Sequence, residues 1–227
     1  HWRFHELGFN CYDSPDSMGN PVLLDEEFRQ ALNWAIDRQK IVDVAFFGQA
    51  DVGSTLIVPY SPYHWEPPAD RAYKYDPESA KTQLDEAGYE DADGDGFRET
   101  KDGKPLSLRL FVTNDSPENQ TAAKLIAGWF KDVGLKVTLR VVDAGVLLDA
   151  QYNYKGDTYA PDYDMYIWDF WGYADPGDTL SSFTTDQIEW WNDPCWSNAE
   201  FDRLAKEQYG EMDPAARLDM IHRMQQI

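Results

Sequence analysis

YDMYIWDFWGYADPGD, running from Tyr163 to Asp178, is the stretch whose reading decides the fold. From Asp164 to Trp168, Met165 and Ile167 alternate with Tyr166 and Trp168, the period of two expected of a strand whose faces are used differently. The strand is expected to stop there. Phe170, Trp171, Gly172 and Tyr173 follow, and Asp175-Pro176 reads as the N-cap and first-turn pair of a short helix through Leu180 and Phe183. A strand that ends in aromatic residues and runs into a helix N-terminus is a common way for an open α/β sheet to build a ligand cleft. Core packing is the other reading of the same rings, although large rings beside a glycine are hard to bury together.

Outward from that strand the pattern is consistently α/β. Leu106, Leu108, Leu110 and Val112 alternate with Ser107, Arg109 and Phe111. Ser116-Pro117 opens a helix with Ala122, Leu125, Ile126, Trp129 and Val133 inward and Gly134 as its stop; Leu135, Val137, Leu139 and Val141 then alternate again. Such a β-α-β run implies parallel strands and a right-handed crossover. Asp143 to Tyr152 reads as a short helix before a loop, Asn153 to Asp162. Nearer the start, Phe4 to Cys11 reads as a strand and Asp25 to Phe47 as one long helix ended by Gly48. Residues 49–75 show no sustained period, and Asp76-Pro77 opens a helix with Ala80, Leu84 and Ala87 inward. Beyond the aromatic stretch, Asn198 and Asp213-Pro214 mark two further helix starts.

Composition narrows the function. The 227 residues carry a formal net charge of −21, which repels a phosphate backbone and excludes nucleic acid as the natural partner. Anionic lipid is disfavoured for the same reason, and no run approaches the ~20 apolar residues of a membrane-crossing helix. HWRFHELGFN lacks the basic and apolar regions of a signal peptide, so none is expected in this stretch. Aromatic residues make up 15% of the chain, an excess that favours a surface gripping organic ligands. Cys11 and Cys195 leave a disulfide and two thiols both open.

Few motifs carry chemistry. Asp91-Ala92-Asp93-Gly94-Asp95-Gly96 matches the opening of a calcium loop, with Asp91, Asp93, Asp95, the Phe97 carbonyl and Asp102 as the expected ligand set; a solvated acidic turn is the alternative. Position twelve is Asp102 rather than glutamate, and position nine is Glu99. There is no GxSxG elbow, HExxH helix, phosphate loop or GxGxxG fingerprint. His1, His5, His64 and His222 are scattered without metal-site spacing.

Taken together, FRQALNWAIDRQKIVD (Phe28 to Asp43), YDPESAKTQLDEAGYEDADGDGFRE (Tyr75 to Glu99) and IWDFWGYADPGD (Ile167 to Asp178) resemble the family 5 extracellular solute-binding proteins. These are the peptide and nickel type that serves ABC importers. LGFN (Leu7 to Asn10), DGKPLSLRL from Asp102 and SNAEFDRL (Ser197 to Leu204) extend the likeness over nearly all of the chain. The resemblance implies an α/β, periplasmic-binding-protein-like (type II) lobe with a mixed, mainly parallel sheet flanked by helices. It implies that residues 1–227 are the C-terminal lobe of a two-lobe receptor, with the N-terminal lobe and the final return segment outside this chain. Periplasmic or extracellular placement, ABC permease subunits as partners, membrane attachment only through an anchor outside this chain, no enzymatic activity and no required cofactor follow from the same source. An exported location also makes a Cys11–Cys195 disulfide chemically accessible. Arg29, Asp37 and Asp202 are assigned to packing and capping.

In peptide-binding relatives the loop equivalent to Trp168–Asp175 lines the cleft, and an aspartate three residues before the acidic-Pro pair holds the peptide's α-amino group. That position here is Gly172, and Asp169 substitutes only if the loop is re-routed. The ligand-binding residues implied are Asn10, Trp168, Asp169, Phe170, Trp171, Gly172 and Tyr173. An oligopeptide or dipeptide is the first ligand reading. An oligosaccharide receptor of the same family and a carbohydrate-active enzyme module are the alternatives.

Overall fold

The computed structural model describes residues 2–227; His1 lies outside the described residues. β1 (Trp2–Phe9) comes first. The long helix expected between Asp25 and Phe47 is two helices, α1 (Glu26–Trp34) and α2 (Arg38–Ala45). Asp37 is the reason: its carboxylate accepts the Lys40 amide hydrogen at 2.9 Å and so starts a new helix where periodicity alone runs on. α3 (Pro77–Glu86) begins at the expected Asp76-Pro77 pair and buries Ala80 and Leu84. β2 (Ser107–Thr113), α4 (Pro117–Asp132) and β3 (Lys136–Val142) form the expected crossover. α4 turns Phe130 fully inward, while Leu125 and Trp129 are half-buried.

α5 (Ala144–Gln151) is capped by Asp143, and the loop expected after it contains a short hairpin, β4 (Tyr154–Lys155) and β5 (Thr158–Tyr159). β6 (Met165–Gly172) does not stop at Trp168. Asp169 to Gly172 are therefore strand residues rather than loop. α6 (Pro176–Ser181), α7 (Ala199–Gln208) and α8 (Pro214–Gln226) start at the anticipated caps Asp175, Asn198 and Asp213. None of the described helices is long and apolar enough to cross a membrane.

The chain divides into two compact units. The first comprises Leu7–Val52 and Tyr73–Trp168. Strand order in the sheet is β1-β6-β2-β3, and β2 is parallel to both β3 and β6. Leu108, Leu110, Val112, Met165 and Ile167 pack with Phe28, Leu32, Leu84, Ile126 and Phe130 into the main core. Each such side chain contributes about 1.5–3 kcal/mol by leaving water. On a separate cluster, Phe111, Leu147, Tyr163 and Tyr166 pack with Trp168. Gly8 is required by this packing, because a Cβ there would lie 2.2 Å from the Tyr166 ring.

The polar hub of this unit is Asp164, 3% exposed. One carboxylate oxygen accepts the Asn20 amide at 2.8 Å and the other the Arg109 amide at 2.7 Å. The Arg109 guanidinium binds the same carboxylate at 3.0 and 3.1 Å and also reaches Asp162. Burial works against the Arg109 cation, but the hydrogen bonds and charge of Asp164 and Asp162 outweigh it and raise its pKa. Arg29, assigned to packing, donates to the Leu23 carbonyl at 2.6 Å.

The second unit comprises the described residues up to Glu6, Gly53–Ala72 and Asp169–Ile227. Its core joins Ile57, Phe170, Leu180, Phe183, Phe201, Leu204, Ile221 and Met224, with Phe4 packed against it. Residues 53–72 contain neither helix nor strand and are held by side chains: Gln225 accepts from the Trp65 amide at 3.0 Å and donates to the Tyr63 carbonyl at 2.8 Å. Asp202 accepts the Thr185 amide at 2.9 Å, as its capping assignment anticipates.

Asp164→Ala leaves two amide hydrogens without their acceptor and the Arg109 guanidinium with Asp162 as its remaining carboxylate, and is expected to lower unfolding free energy by about 3 kcal/mol, read as a fall in the urea midpoint at unchanged slope. Asp164→Asn, which keeps one acceptor, is expected to lose less.

Candidate functional site

Alternation along β6 determines which of its carboxyl-terminal side chains face solvent. Phe170 is 8% exposed, stacked on Phe4 and tilted against Phe183, each with ring centroids 5.5 Å apart. Trp171, one residue on, points the other way and is 61% exposed. Gly172 is buried, and Tyr173 is 48% exposed. The Tyr173 amide donates to the hydroxyl of the buried Thr179 at 3.1 Å, which orients the chain as it enters α6.

Two contacts position this segment from β1. Arg3 approaches the Asp169 carboxylate at 3.5 Å, and its guanidinium carbon lies 5.8 Å from the Trp171 ring centroid, a cation–π arrangement. Behind it, Asp175 accepts the Gly177 amide at 2.8 Å as N-cap of α6 and pairs with Arg217 of α8 at 2.6 Å. Arg217 also donates to the side-chain oxygen of Gln208 at 2.8 and 3.0 Å. Gln208 lies so close to α6 that a Cβ on residue 177 would be 2.4 Å from its amide nitrogen, which is why glycine stands there. Burial alone raises the Asp175 carboxyl, but the Arg217 and Gly177 hydrogen bonds prevail and hold it below its ordinary value of 3.8.

The other implied ligand residues belong to the first unit. Asn10 is 2% exposed; its side-chain amide donates to the Tyr163 carbonyl at 2.8 Å and accepts the Tyr12 amide at 3.1 Å. Those internal bonds account for its presence. Trp168 is half-buried against the Tyr163–Tyr166 cluster. Sequence reasoning missed Arg3 and Arg217: an arginine on a strand start and one on a distant helix carry no local signal for the partner they meet.

At the acidic turn, Asp91, Asp93, Asp95 and Glu99 each bring a carboxylate oxygen within 4.8 Å of the others. Asp102, expected as the last ligand, stands outside this group; its carboxylate pairs with Lys104 at 2.5 Å. The Phe97 amide donates to Asp95 at 2.8 Å, and Asp91 accepts the amides of Gly94 and Gly96 at 2.8 and 3.0 Å. These side-chain-to-backbone bonds account for the turn's shape. Cys11 and Cys195 remain thiols. Cys11 donates to the Leu23 carbonyl at 3.8 Å and Cys195 to the Asp193 carbonyl at 3.6 Å. Elsewhere in the first unit a concavity of about 840 Å³ opens beside Asn20, Lys101 and Arg109; Lys101 is paired there with Asp25 at 2.6 Å and Arg109 with Asp164.

Comparison with known proteins agrees with this architecture. Residues 2–190 match the family described as bacterial extracellular solute-binding proteins, family 5 (middle). The oligopeptide-binding protein AppA of Bacillus subtilis is 30% identical over 198 residues, covering 83% of this chain and 34% of AppA. The nickel-binding periplasmic protein of Escherichia coli is 32% identical over 114 residues, covering 49% of this chain and 21% of that protein. The chain thus spans about a third or less of the length of these relatives. Among solved structures, AppA in complex with a nonapeptide superimposes with a TM-score of 0.83 at 24% identity over 99% of this chain and 42% of that one. A periplasmic oligopeptide-binding protein from Thermotoga maritima gives 0.83 at 25% identity over 98% of this chain and 41% of that one.

Because Asp175 is held below 3.8 when folded, the folded chain binds that proton less readily than the unfolded one. Its contribution to stability is therefore complete above that value and lost as the pH falls below it. Arg217→Ala is expected to remove this contribution and to cost about 1 kcal/mol at pH 7, with a smaller penalty at pH 3, measured by thermal unfolding at both values.

Proposed function

The chain belongs to the bacterial extracellular solute-binding proteins of family 5, and we propose that it is the C-terminal lobe of the substrate-binding component of an ABC importer. It takes an oligopeptide or dipeptide against the wall formed by Asp169 to Tyr173, with a second lobe supplying the opposite side. The receptor acts in the periplasm or outside the cell, delivers its solute to permease subunits, and is attached to the membrane by an anchor outside this chain. It is a receptor rather than an enzyme.

The observation that carries this reading is the exposure of Trp171 and Tyr173 at the end of a strand whose Phe170 and Gly172 are buried. Exposed rings on a rigid element lose little conformational entropy when a ligand covers them, and they supply large contact area. The peptide reading is supported by AppA, named for oligopeptide binding. A peptide's main chain can also be held by strand-like hydrogen bonds that leave little trace in side chains.

Native mass spectrometry of the two-lobe receptor is expected to release peptides of mixed sequence as the co-purifying ligand. Release of a single non-peptide species would exclude the peptide reading. Trp171→Ala is expected to weaken ligand binding roughly tenfold or more by calorimetry while leaving the unfolding midpoint nearly unchanged, because the ring is a contact rather than a core residue.

A further inference from the structure

We infer that the wall at residues 169–173 takes an uncharged stretch of its ligand, so that a peptide reaching it is not held by its ammonium terminus; the inference rests on the peptide-receptor reading above. The one carboxylate of the wall, and the next one along the chain, are each paired with a cation of this chain. Asp169 pairs with Arg3 at 3.5 Å. Asp175 pairs with Arg217 at 2.6 Å while capping α6. Asp178, beyond the wall, accepts the neutral Tyr209 hydroxyl at 2.8 Å. The large side chains that the segment turns to solvent are the rings of Trp171 and Tyr173.

Arg3 has a second effect. Its guanidinium is stationed against Trp171, 5.8 Å from the ring centroid, so a ligand cation arriving at this ring meets a positive charge already in place. An ammonium group would give up its hydration to reach a carboxylate that is already neutralised, next to a like charge. An apolar side chain, a capped terminus or a run of main chain meets stacking surface at no such cost. Arg3 therefore acts as a specificity-determining residue: it neutralises the acid on β6 nearest the exposed indole.

The test is a competition read by native mass spectrometry. The two-lobe receptor is offered a degenerate hexapeptide pool in free-amine form, the same pool N-acetylated and isotopically labelled, and separately a neutral oligosaccharide mixture. The expected result is retention of acetylated and free peptides within about twofold of each other. Arg3→Ala, which leaves Asp169 without its cation, is expected to shift the ratio toward free amines by about two- to fivefold, the range of an exposed ion pair. Arg3→Lys, which keeps the charge, is expected to leave the ratio unchanged. A tenfold or greater preference of the unaltered receptor for free amines would overturn the inference and keep the peptide reading. A ratio that Arg3→Ala does not move, in a variant that still binds, would overturn the role given to Arg3. Retention of the oligosaccharide and neither peptide pool would overturn the peptide reading and uphold the uncharged wall, and retention of none of the three would overturn both.

Discussion

A buried carboxylate is costly to remove from water unless its oxygens are fully engaged, and Asp164 meets that condition through the Asn20 amide, the Arg109 amide and the Arg109 guanidinium. Its place in the chain gives this interaction its reach. The parallel ladder between β2 and β6 begins at Leu110↔Met165, and one residue earlier the Asp164 side chain takes the Arg109 amide hydrogen that a strand carbonyl would otherwise take. The carboxylate thereby pins the entry of β6 and sets its phase. In a strand a slip of one residue exchanges the two faces. Everything said of Tyr166 as core, Phe170 as core and Trp171 as surface depends on that phase being held.

With the phase set, the wall is made from ordinary packing. Phe170 is clamped between Phe4 and Phe183, and Gly172 is buried, so the strand carrying Trp171 is fixed on its inner side. The turn that follows is fixed by Asp175, Arg217, Gln208 and Gly177. An exposed ring on such a support is pre-organised, and a ligand covering it would cost less in ordering than on a loose loop.

The acidic character of the chain looks different once partners are known. Its net charge is −21, yet two carboxylates close in sequence to the exposed rings are paired with cations, Asp169 with Arg3 and Asp175 with Arg217, while Asp178 accepts the neutral Tyr209 hydroxyl. The DADGDG turn makes a related point. Its spacing brought Asp91, Asp93 and Asp95 together as anticipated, and Glu99 joined them in place of Asp102, because Glu99 is drawn inward, where it accepts the Ala92 amide at 2.7 Å, whereas Asp102 is turned toward Lys104.

Much of this was legible in the residues alone. Caps at Asp76, Ser116, Asp143, Asp175, Asn198 and Asp213, and the alternation of Leu106 to Val112 and Leu135 to Val141, are local signals: each depends on a hydrogen bond or a side-chain period spanning a few positions, so the chain declares them without its fold. The ordered motifs further pointed to the family. What only the tertiary structure decided were matters of contact between distant residues. β6 runs on to Gly172 rather than ending at Trp168, and Phe170 in the added residues packs against Phe4 and Phe183. The engagement of Asn10, the neutralising of Asp169 by Arg3 and the bracing of Asp175 by Arg217 likewise join positions many residues apart. A pairing of that kind is set by where the backbone brings two side chains, and no local pattern in the sequence encodes it.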